Sequence, residues 1–177
     1  MLRNLAIFSV AALICPLAVY AQVNLPAKVN PAEQAFLRHA AEINIADVDL
    51  AQLAQENSSA ESVKQFAQRV INDHTNNEQK VKDLAARVDV VLPDQLSANQ
   101  TDEYARLTKL SGPEFEHAYI NDMIQGHEQA ISQYENEAKT ATNSAVRMYA
   151  SETLPMLREH LKLAHQVAVE IGATSRR

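Results

Sequence analysis

The sequence contains one cysteine, no tryptophan and only three glycines among its 177 residues. The cysteine, Cys15, lies in an apolar N-terminal stretch that we predict to be cleaved off. The mature chain would then have no thiol for a disulfide, for nucleophilic catalysis or for a thiolate metal site. The sequence also lacks a glycine-rich nucleotide loop and the Gly-x-Ser-x-Gly motif of serine hydrolases. These absences exclude several common enzyme classes.

Positive charge is also scarce, with 16 Lys and Arg against 22 Asp and Glu and a net charge of -6. An acidic chain of this kind is poorly suited to nucleic acid or to an anionic lipid surface. Hydrophobic residues make up 46% of the sequence. Together with the length, this fraction is enough for one domain with a well-formed core.

The N-terminus has the pattern of a signal peptide over residues 1–21. A positive charge at Arg3 precedes a nearly continuous apolar run, and Val19-Tyr20-Ala21 has small residues where signal peptidase needs them, before the predicted cleavage after Ala21. The run contains Pro16 and is short for a membrane span. We therefore expect a periplasmic or secreted protein with no transmembrane span after cleavage. Anchoring by an uncleaved N-terminal segment is the alternative. Residues 22–29 are interpreted as a flexible lead.

Apolar residues then recur every three or four positions in four long segments, which predicts four amphipathic helices. Helix-capping residues mark the starts, among them Asn30, the Ser58–Glu61 capping-box pattern and Asn143. The predicted helices begin near residues 30, 58, 111 and 143. The first, second and fourth end near residues 56, 88 and 171. Residues 173–177 are expected to form a frayed tail.

The connection between the second and third helices is much longer than two antiparallel neighbours need. It runs from about Asp89 to Gly112 and contains a short predicted helix that starts at Ser97. A connection of this length can cross the whole bundle. The sequence therefore predicts an all-α, ferritin-like four-helix bundle over residues 30–172, with a long crossover that carries a short extra helix. The two hairpins have similar lengths but no evident residue-level repeat.

One polar, ligand-type residue interrupts the apolar stripe of each long helix near its middle. These residues are Asp47, His74, His127 and His160. In the crossover topology their depths along the bundle differ by only about 6 Å. A carboxylate and three imidazoles that meet in one layer can bind Zn, Fe, Mn, Cu or Ni. Three further residues are candidates to support this layer from outside, namely Asp73, Asn77 and Tyr134.

The leading hypothesis is therefore a metal-binding protein without established catalysis. A second hypothesis, from another class, is a structural or interaction protein of the cell envelope whose Asp/His layer is only a hydrogen-bonded core. An envelope partner or self-association fits either hypothesis. A di-metal oxidase is a third, weaker alternative, because a ferritin-type centre needs Glu three residues before its histidines. Ile71, Ile124 and Leu157 occupy those positions.

Several of these residues carry a resemblance to the bacterial domain-of-unknown-function 4142 family, over about residues 32–169. The matching elements are Asp47-Val48, Leu53-Ala54, Phe66-Ala67, Asp73-His74, Leu92-Pro93, Gly112, Phe115, Tyr119, His127, Leu154–Leu157 and His160-Leu161. The resemblance implies a secreted ferritin-like helical bundle, in a family often labelled as outer membrane proteins, with no established activity. The family usually has Glu at the position of Asp47 and Gly at that of Ile45.

Overall fold

The structure is a computed structural model that describes residues 28–173. It contains five helices over this range. They are α1 (Pro31–Asn57), α2 (Glu61–Val88), α3 (Ala98–Leu107), α4 (Gly112–Thr140) and α5 (Ser144–Glu170). The all-α class, the four long helices and the short helix in the connection are therefore confirmed. The predicted signal peptide, most of the flexible lead and most of the predicted tail lie outside the described residues.

Local sequence signals place most of the helix starts. The Asn30 side chain accepts from the Glu33 amide while Glu33 accepts from the Asn30 amide, so the capping box of α1 is complete. Asn143 caps α5 in a similar way, through the amides of Ala145 and Val146. The capping box predicted at Ser58–Glu61 is wrong. The N-cap of α2 is Ala60, which offers no capping side chain.

Two buried glutamates, one from each hairpin, hold the turn of the opposite hairpin. Glu116 on α4 accepts from the Ser59 and Ala60 amides at the α1–α2 turn, at 2.9 Å each. Glu33 on α1 accepts from the Thr142 and Asn143 amides at the α4–α5 turn, at 2.7 and 2.8 Å. A carboxylate from the opposite hairpin thus satisfies amides that would otherwise be buried without a partner.

These contacts also fix the topology. Because Glu33 lies at the start of α1 and touches the end of α4, α1 and α4 run antiparallel. The chain must therefore travel from one end of the bundle to the other between α2 and α4, as the crossover prediction requires. Helix α3 lies on this path against α1 and α4. Gln100 donates to the Glu42 carbonyl at 3.0 Å, and Arg106 pairs with Asp122.

The interior consists of two apolar clusters, one towards each end of the bundle. Leu37, Val81, Tyr134 and Leu157 belong to one cluster. Leu50, Val70, Phe115 and Ile120 belong to the other. The buried side chains of His74, His127 and His160 belong to neither cluster. A polar layer therefore stands beside these clusters in the core.

The buried face of α1 is broader than the predicted stripe and rotated from it. The apolar stripe that Asp47 interrupts in the sequence includes Phe36 and Ile43, which it predicts to face the core, but both are only partly buried. Leu37 and Asn44, each one position later, are fully buried. Helix α5 continues through Pro155, and the proline ring is exposed. Within residues 28–173, no helix combines the length and the apolar character that a bilayer span needs.

Candidate metal centre

Three histidines from three different helices meet at one point in the core. His74 on α2, His127 on α4 and His160 on α5 each offer a ring nitrogen, and these nitrogens all lie within 4.8 Å of one another. Each side chain is at most 2% exposed. Among the described residues, no other three His, Cys, Asp or Glu side chains come together in this way. Three of the four residues singled out in the sequence therefore converge.

The fourth residue, Asp47 on α1, lies beside two of these histidines. Its Oδ2 atom is 3.2 Å from His74 Nε2 and 4.0 Å from His127 Nε2. Despite the short distance, His74 Nε2 has no hydrogen-bond partner, because the direction of Asp47 is unsuitable. Asp47 keeps 13% of its side-chain surface exposed. Burial of the remainder raises its pKa to about 7.

The outer nitrogens of His127 and His160 each face an acceptor. His127 Nδ1 is 2.8 Å from the Met123 carbonyl oxygen, one turn earlier on α4. A carbonyl only accepts, so this nitrogen carries the ring hydrogen. His160 Nε2 is 3.0 Å from Asp73 Oδ2. Burial opposes ionisation of Asp73, but hydrogen bonds from Arg69 and His160 outweigh it and lower its pKa. The Asp73 carboxylate is therefore ionised and accepts the His160 hydrogen.

His74 is oriented in the same manner by Asn44. Its Nδ1 atom is 2.9 Å from Asn44 Oδ1. The amide orientation of Asn44 follows from its other partners, because its Nδ2 donates to the Glu78 carboxylate at 3.4 Å. Its Oδ1 also accepts from Asn77 Nδ2 at 3.1 Å. His74 Nδ1 is therefore a donor, and its inner Nε2 carries a lone pair.

All three imidazoles are neutral near pH 7. Burial lowers the pKa of His127 and of His160 to about 4. Burial, together with the neighbouring imidazoles, lowers the pKa of His74 well below its ordinary value. A neutral imidazole has one ring hydrogen, and each ring uses it on an outer partner. The inner nitrogens therefore face one another with lone pairs only.

This arrangement leaves two acceptors in direct opposition. His127 Nε2 and His160 Nδ1 are 3.3 Å apart, and neither carries a hydrogen to share. Ligand nitrogens of a tetrahedral ion with bonds of 2.0–2.1 Å are separated by about 3.3 Å. The distance between Asp47 Oδ2 and His74 Nε2, 3.2 Å, is also close to this edge length. Two spacings of the donor set are therefore close to those around a four-coordinate ion, whereas the 4.0 Å between Asp47 Oδ2 and His127 Nε2 is longer.

The three candidate supporting residues have different positions. Asp73 touches the site directly, through His160. Asn77 is one hydrogen bond further out, because it reaches His74 only through Asn44. Tyr134 is further still, since its hydroxyl is 3.3 Å from the Tyr149 hydroxyl, which in turn accepts from Asn77 at 3.1 Å. The last two belong to a hydrogen-bonded chain that runs from His74 into the neighbouring apolar cluster.

Sequence reasoning missed Asn44, the direct partner of His74. A signal was present, because Leu37, Ala41, Asn44 and Ala51 recur at helical spacing and are all buried. Asn44 interrupts that second stripe as Asp47 interrupts the first. The residues that precede the histidines argue against a ferritin-type centre, as the sequence indicated. His117, from the one Glu-x-x-His motif, bonds the Ile171 carbonyl at 2.9 Å and lies away from the centre.

A second acidic residue lies on the solvent side of Asp47. Glu103 on α3 lines the same surface pocket as Asp47. Burial raises the pKa of Glu103, and the negative charge of Asp122 raises it further. Arg106 opposes this upward shift, while Asp47 contributes to it. The pocket on this side of the centre therefore carries two carboxyl groups, Asp47 and Glu103.

Similar folds occur in solved structures of low sequence identity. A DUF305 fragment from Deinococcus radiodurans is 17% identical with a TM-score of 0.70, and the match covers 83% of this chain and 99% of that one. The "putative secreted protein DUF305" from Streptomyces coelicolor is 14% identical with a TM-score of 0.69, covering 82% and 97%. A "putative spore coat protein" from Bacillus halodurans C-125 is 10% identical with a TM-score of 0.68, covering 85% and 94%. These likenesses concern the fold alone.

No curated protein matches the sequence. A family model does match, over residues 19–167, and it is described as a domain of unknown function, DUF4142. The match includes all five helices almost completely and every residue of the histidine centre. The resemblance noted in the sequence is therefore confirmed, and this chain belongs to the DUF4142 family.

Proposed function

We propose that this protein is an extracytoplasmic bundle that binds one transition metal ion through Asp47, His74, His127 and His160. The observation that carries the proposal is the pair of facing acceptors, His127 Nε2 and His160 Nδ1, 3.3 Å apart. Two lone pairs at this distance repel unless a cation lies between them. Imidazole nitrogens with one carboxylate suit Zn, Fe, Mn, Cu(II) or Ni, and the ligand set alone does not select among them.

The outer partners support the same role. Asn44, the Met123 carbonyl and Asp73 each accept the hydrogen of one imidazole. Such contacts fix the ring tautomer and orientation in metal sites and raise the basicity of the ligand. Asp73 is the strongest of the three in this respect because it is a carboxylate. The centre is thereby arranged for an ion before the ion arrives.

An extracytoplasmic location is part of the proposal. The N-terminal residues have the composition of a signal peptide. One protein of similar fold is named a "putative secreted protein". Periplasmic or secreted placement also suits a chain with no cysteine after Cys15, since no thiol is left to be oxidised.

A second candidate function has one observation in its favour. The pKa of Asp47 is about 7, so a proton on its carboxyl would partly offset the repulsion in the centre without any metal. In that case the layer would be a hydrogen-bonded core that fixes how the helices pack. The protein would then act as a structural or interaction module of the cell envelope.

Metal titration of untagged protein separates these two functions. We expect one Co²⁺ per chain, with the intense visible absorption of a tetrahedral ion, and competition by Zn²⁺. A ligand at about a thousand times its Kd stabilises the folded state by about 4 kcal/mol, so the melting temperature should rise clearly. If dialysed protein retains no ion and added Co²⁺, Zn²⁺, Cu²⁺, Ni²⁺, Fe²⁺ and Mn²⁺ leave the melting temperature unchanged, the structural alternative holds.

A matched pair of substitutions ties the binding to the centre. His74→Gln removes one predicted ligand, whereas His165→Gln changes an exposed histidine on α5. We expect His165→Gln to bind Co²⁺ as the wild type does and His74→Gln to lose the tetrahedral spectrum. Equal loss in both variants would mean that the bound ion lies elsewhere.

A further inference from the structure

A pocket of about 160 Å³ opens between α1, α3 and α4 on the side of the centre that carries Asp47. Asp47 lines it from α1, Gln100 and Glu103 from α3, and Gly126 from α4. A space of this volume holds several water molecules. The pocket therefore brings solvent to a residue of the histidine centre.

Asp47 is the link between the pocket and the buried nitrogens. Its side chain keeps 13% of its surface exposed, whereas that of His74 keeps 1%. Its Oδ2 lies 3.2 Å from His74 Nε2, the buried nitrogen that has no hydrogen-bond partner. An ion that binds the Asp47 carboxylate in the pocket would thus be next to the lone pair of His74 Nε2, with no residue in between.

Gly126 contributes no side chain to the α4 wall of this pocket. It lies in the interior of α4, immediately before His127, where glycine disfavours a helix relative to alanine. Packing does not require it, because a Cβ placed there would meet no atom within 4 Å. A side chain at this position would instead extend into open space at the pocket that Asp47 also lines.

Charge also favours entry of a cation here. The carboxylates of Asp47 and Glu103 both line the pocket. Arg106, the nearby cation on α3, is paired with Asp122. A cleft with this excess of carboxylates raises the local concentration of cations and their rate of association.

The pocket on the opposite side of the centre is less suitable. It lies between α2 and α5, and its charged lining residues are Arg69, Lys80, Asp73, Glu152 and Glu159. Arg69 pairs with Asp73, so the carboxylate nearest the centre already has a cationic partner. Behind Asp73 the next group is the N–H of His160, not a lone pair. A cation arriving there would meet no available ligand nitrogen.

We propose that the pocket between α1, α3 and α4 is the route by which a hydrated divalent transition metal ion enters and leaves the histidine centre, with Asp47 as its first ligand and Gly126 as the position that keeps the route open. This inference rests on the proposed metal binding. It makes the ion exchangeable, so the protein can take up metal and release it without unfolding.

The test is to narrow the pocket and measure rates. Gly126→Leu should slow both Co²⁺ association and its removal by excess chelator by about tenfold or more, with the equilibrium affinity unchanged. Gly126→Ala, a smaller change, should raise the melting temperature and alter the rates little. Asn76→Leu, an exposed position lining the α2–α5 pocket, is the matched control and should leave both rates unchanged.

A charge variant keeps the test decisive if Gly126→Leu folds poorly. Glu103→Arg should slow association about tenfold, and more at low salt than at high salt, without changing the dissociation rate in the same proportion. The route is wrong if Asn76→Leu slows exchange while Gly126→Leu and Glu103→Arg do not. A lowered affinity of Gly126→Leu with unchanged association would also contradict it. If wild-type protein binds no Co²⁺ at all, the proposed function itself fails, and this inference with it.

Discussion

The two hairpins of the bundle, α1–α2 and α4–α5, share equivalent positions at a constant sequence separation but have different side chains at them. Glu33 in the first hairpin accepts from amides of the α4–α5 turn, and Glu116 in the second accepts from amides of the α1–α2 turn. The two glutamates are 83 residues apart. The same separation joins Ala60 to Asn143, the N-caps of α2 and α5. The sequence suggested no repeat, because few paired positions keep the same residue. The shared contacts make the correspondence visible.

The polar pairs in the core obey the same register. Adding 83 to Asn44 and Asn77 gives His127 and His160. In the first hairpin the two amides are joined by a hydrogen bond, with Asn77 Nδ2 donating to Asn44 Oδ1 at 3.1 Å. In the second, two imidazole lone pairs face each other at 3.3 Å. Equivalent positions thus form a hydrogen-bonded pair in one half and a pair of facing acceptors in the other.

The remaining two proposed ligands make the two hairpins still less alike. Asp47 and His74 lie one turn from the Asn pair, and their counterparts in the second hairpin are Ala130 and Leu157, both apolar. The histidine centre with Asp47 therefore takes two residues from each hairpin, and the equivalent place elsewhere in the core has no such set. The proposed metal ligands thus belong to one of two related layers, while the other layer provides hydrogen bonds and packing.

The largest expected effect comes from making the second hairpin resemble the first. His127→Asn with His160→Asn replaces the facing imidazoles by the amide pair that the first hairpin uses. Two of four ligands are lost, so metal affinity should fall by at least about a thousandfold, beyond the 10–100-fold typical of outer partners. Calorimetric titration with Zn²⁺ measures the change, and circular dichroism checks that the helices remain. Undiminished affinity would show that these histidines do not bind the ion.

A smaller effect is expected at Asn44, which connects the amide pair of the first hairpin to the histidine centre. Asn44→Ala removes the acceptor of His74 and of Asn77 together. His74 is then free to change tautomer, and metal affinity should fall by about 10–100-fold. Asn76→Ala, on the exposed face of α2, is the control and should have no effect. If Asn44→Ala alters stability but leaves affinity intact, the first hairpin's amide layer is independent of the centre.

The four helices and the four candidate ligands were predictable because each depends on local periodicity. A histidine that replaces an expected apolar residue is visible in one helix alone. Asn44 was not found, because it lies on a stripe beside the one that was followed, and its partner His74 is 30 residues away. The sequence also did not reveal that Glu33 and Glu116 accept hydrogen bonds from turns that are distant in the chain. Glu33, in the first turn of α1, has a sufficient local explanation as a cap, whereas Glu116 lies beyond the first turn of α4. The partner turns are 56 to 110 residues away in the sequence.

The two glutamate clamps allow a finer comparison of stability. All hydrogen bonds of Glu116 at the α1–α2 turn end on Oε1, which glutamine can still provide. Glu33 uses both oxygens, because Oε2 accepts from the Asn30 amide at 2.8 Å. In Glu33→Gln a side-chain amide would face that N–H or leave it unpaired. We expect a loss of about 2 kcal/mol for Glu33→Gln and about 1 kcal/mol for Glu116→Gln by urea unfolding. Equal losses would mean that the charge alone matters.

The smallest expected effect is a difference in how strongly acid pH destabilises the α1–α2 and α4–α5 turns. Burial favours the protonated form of both glutamates, but hydrogen bonds outweigh it and lower the pKa of Glu33 and Glu116 below the ordinary 4.5. At Glu116 the Ser58 hydroxyl contributes most and backbone amides follow, whereas at Glu33 backbone amides contribute most, together with the Thr142 hydroxyl. A carboxylate with a lowered folded-state pKa stabilises the protein above its ordinary pKa, and this contribution disappears as the pH falls through the lowered value.

Near Glu33 there is an opposing group. Burial and the charge of Glu33 raise the pKa of Glu137 above 4.5, so its protonation favours the folded state as the pH falls. The contributions of Glu33 and Glu137 partly cancel at the α4–α5 turn. Between pH 6 and pH 3, the free energy of unfolding should therefore depend less on pH in Glu116→Gln than in Glu137→Gln. The Glu137→Gln curve should become steeper, because the compensating proton is removed, and a flatter curve would contradict this assignment.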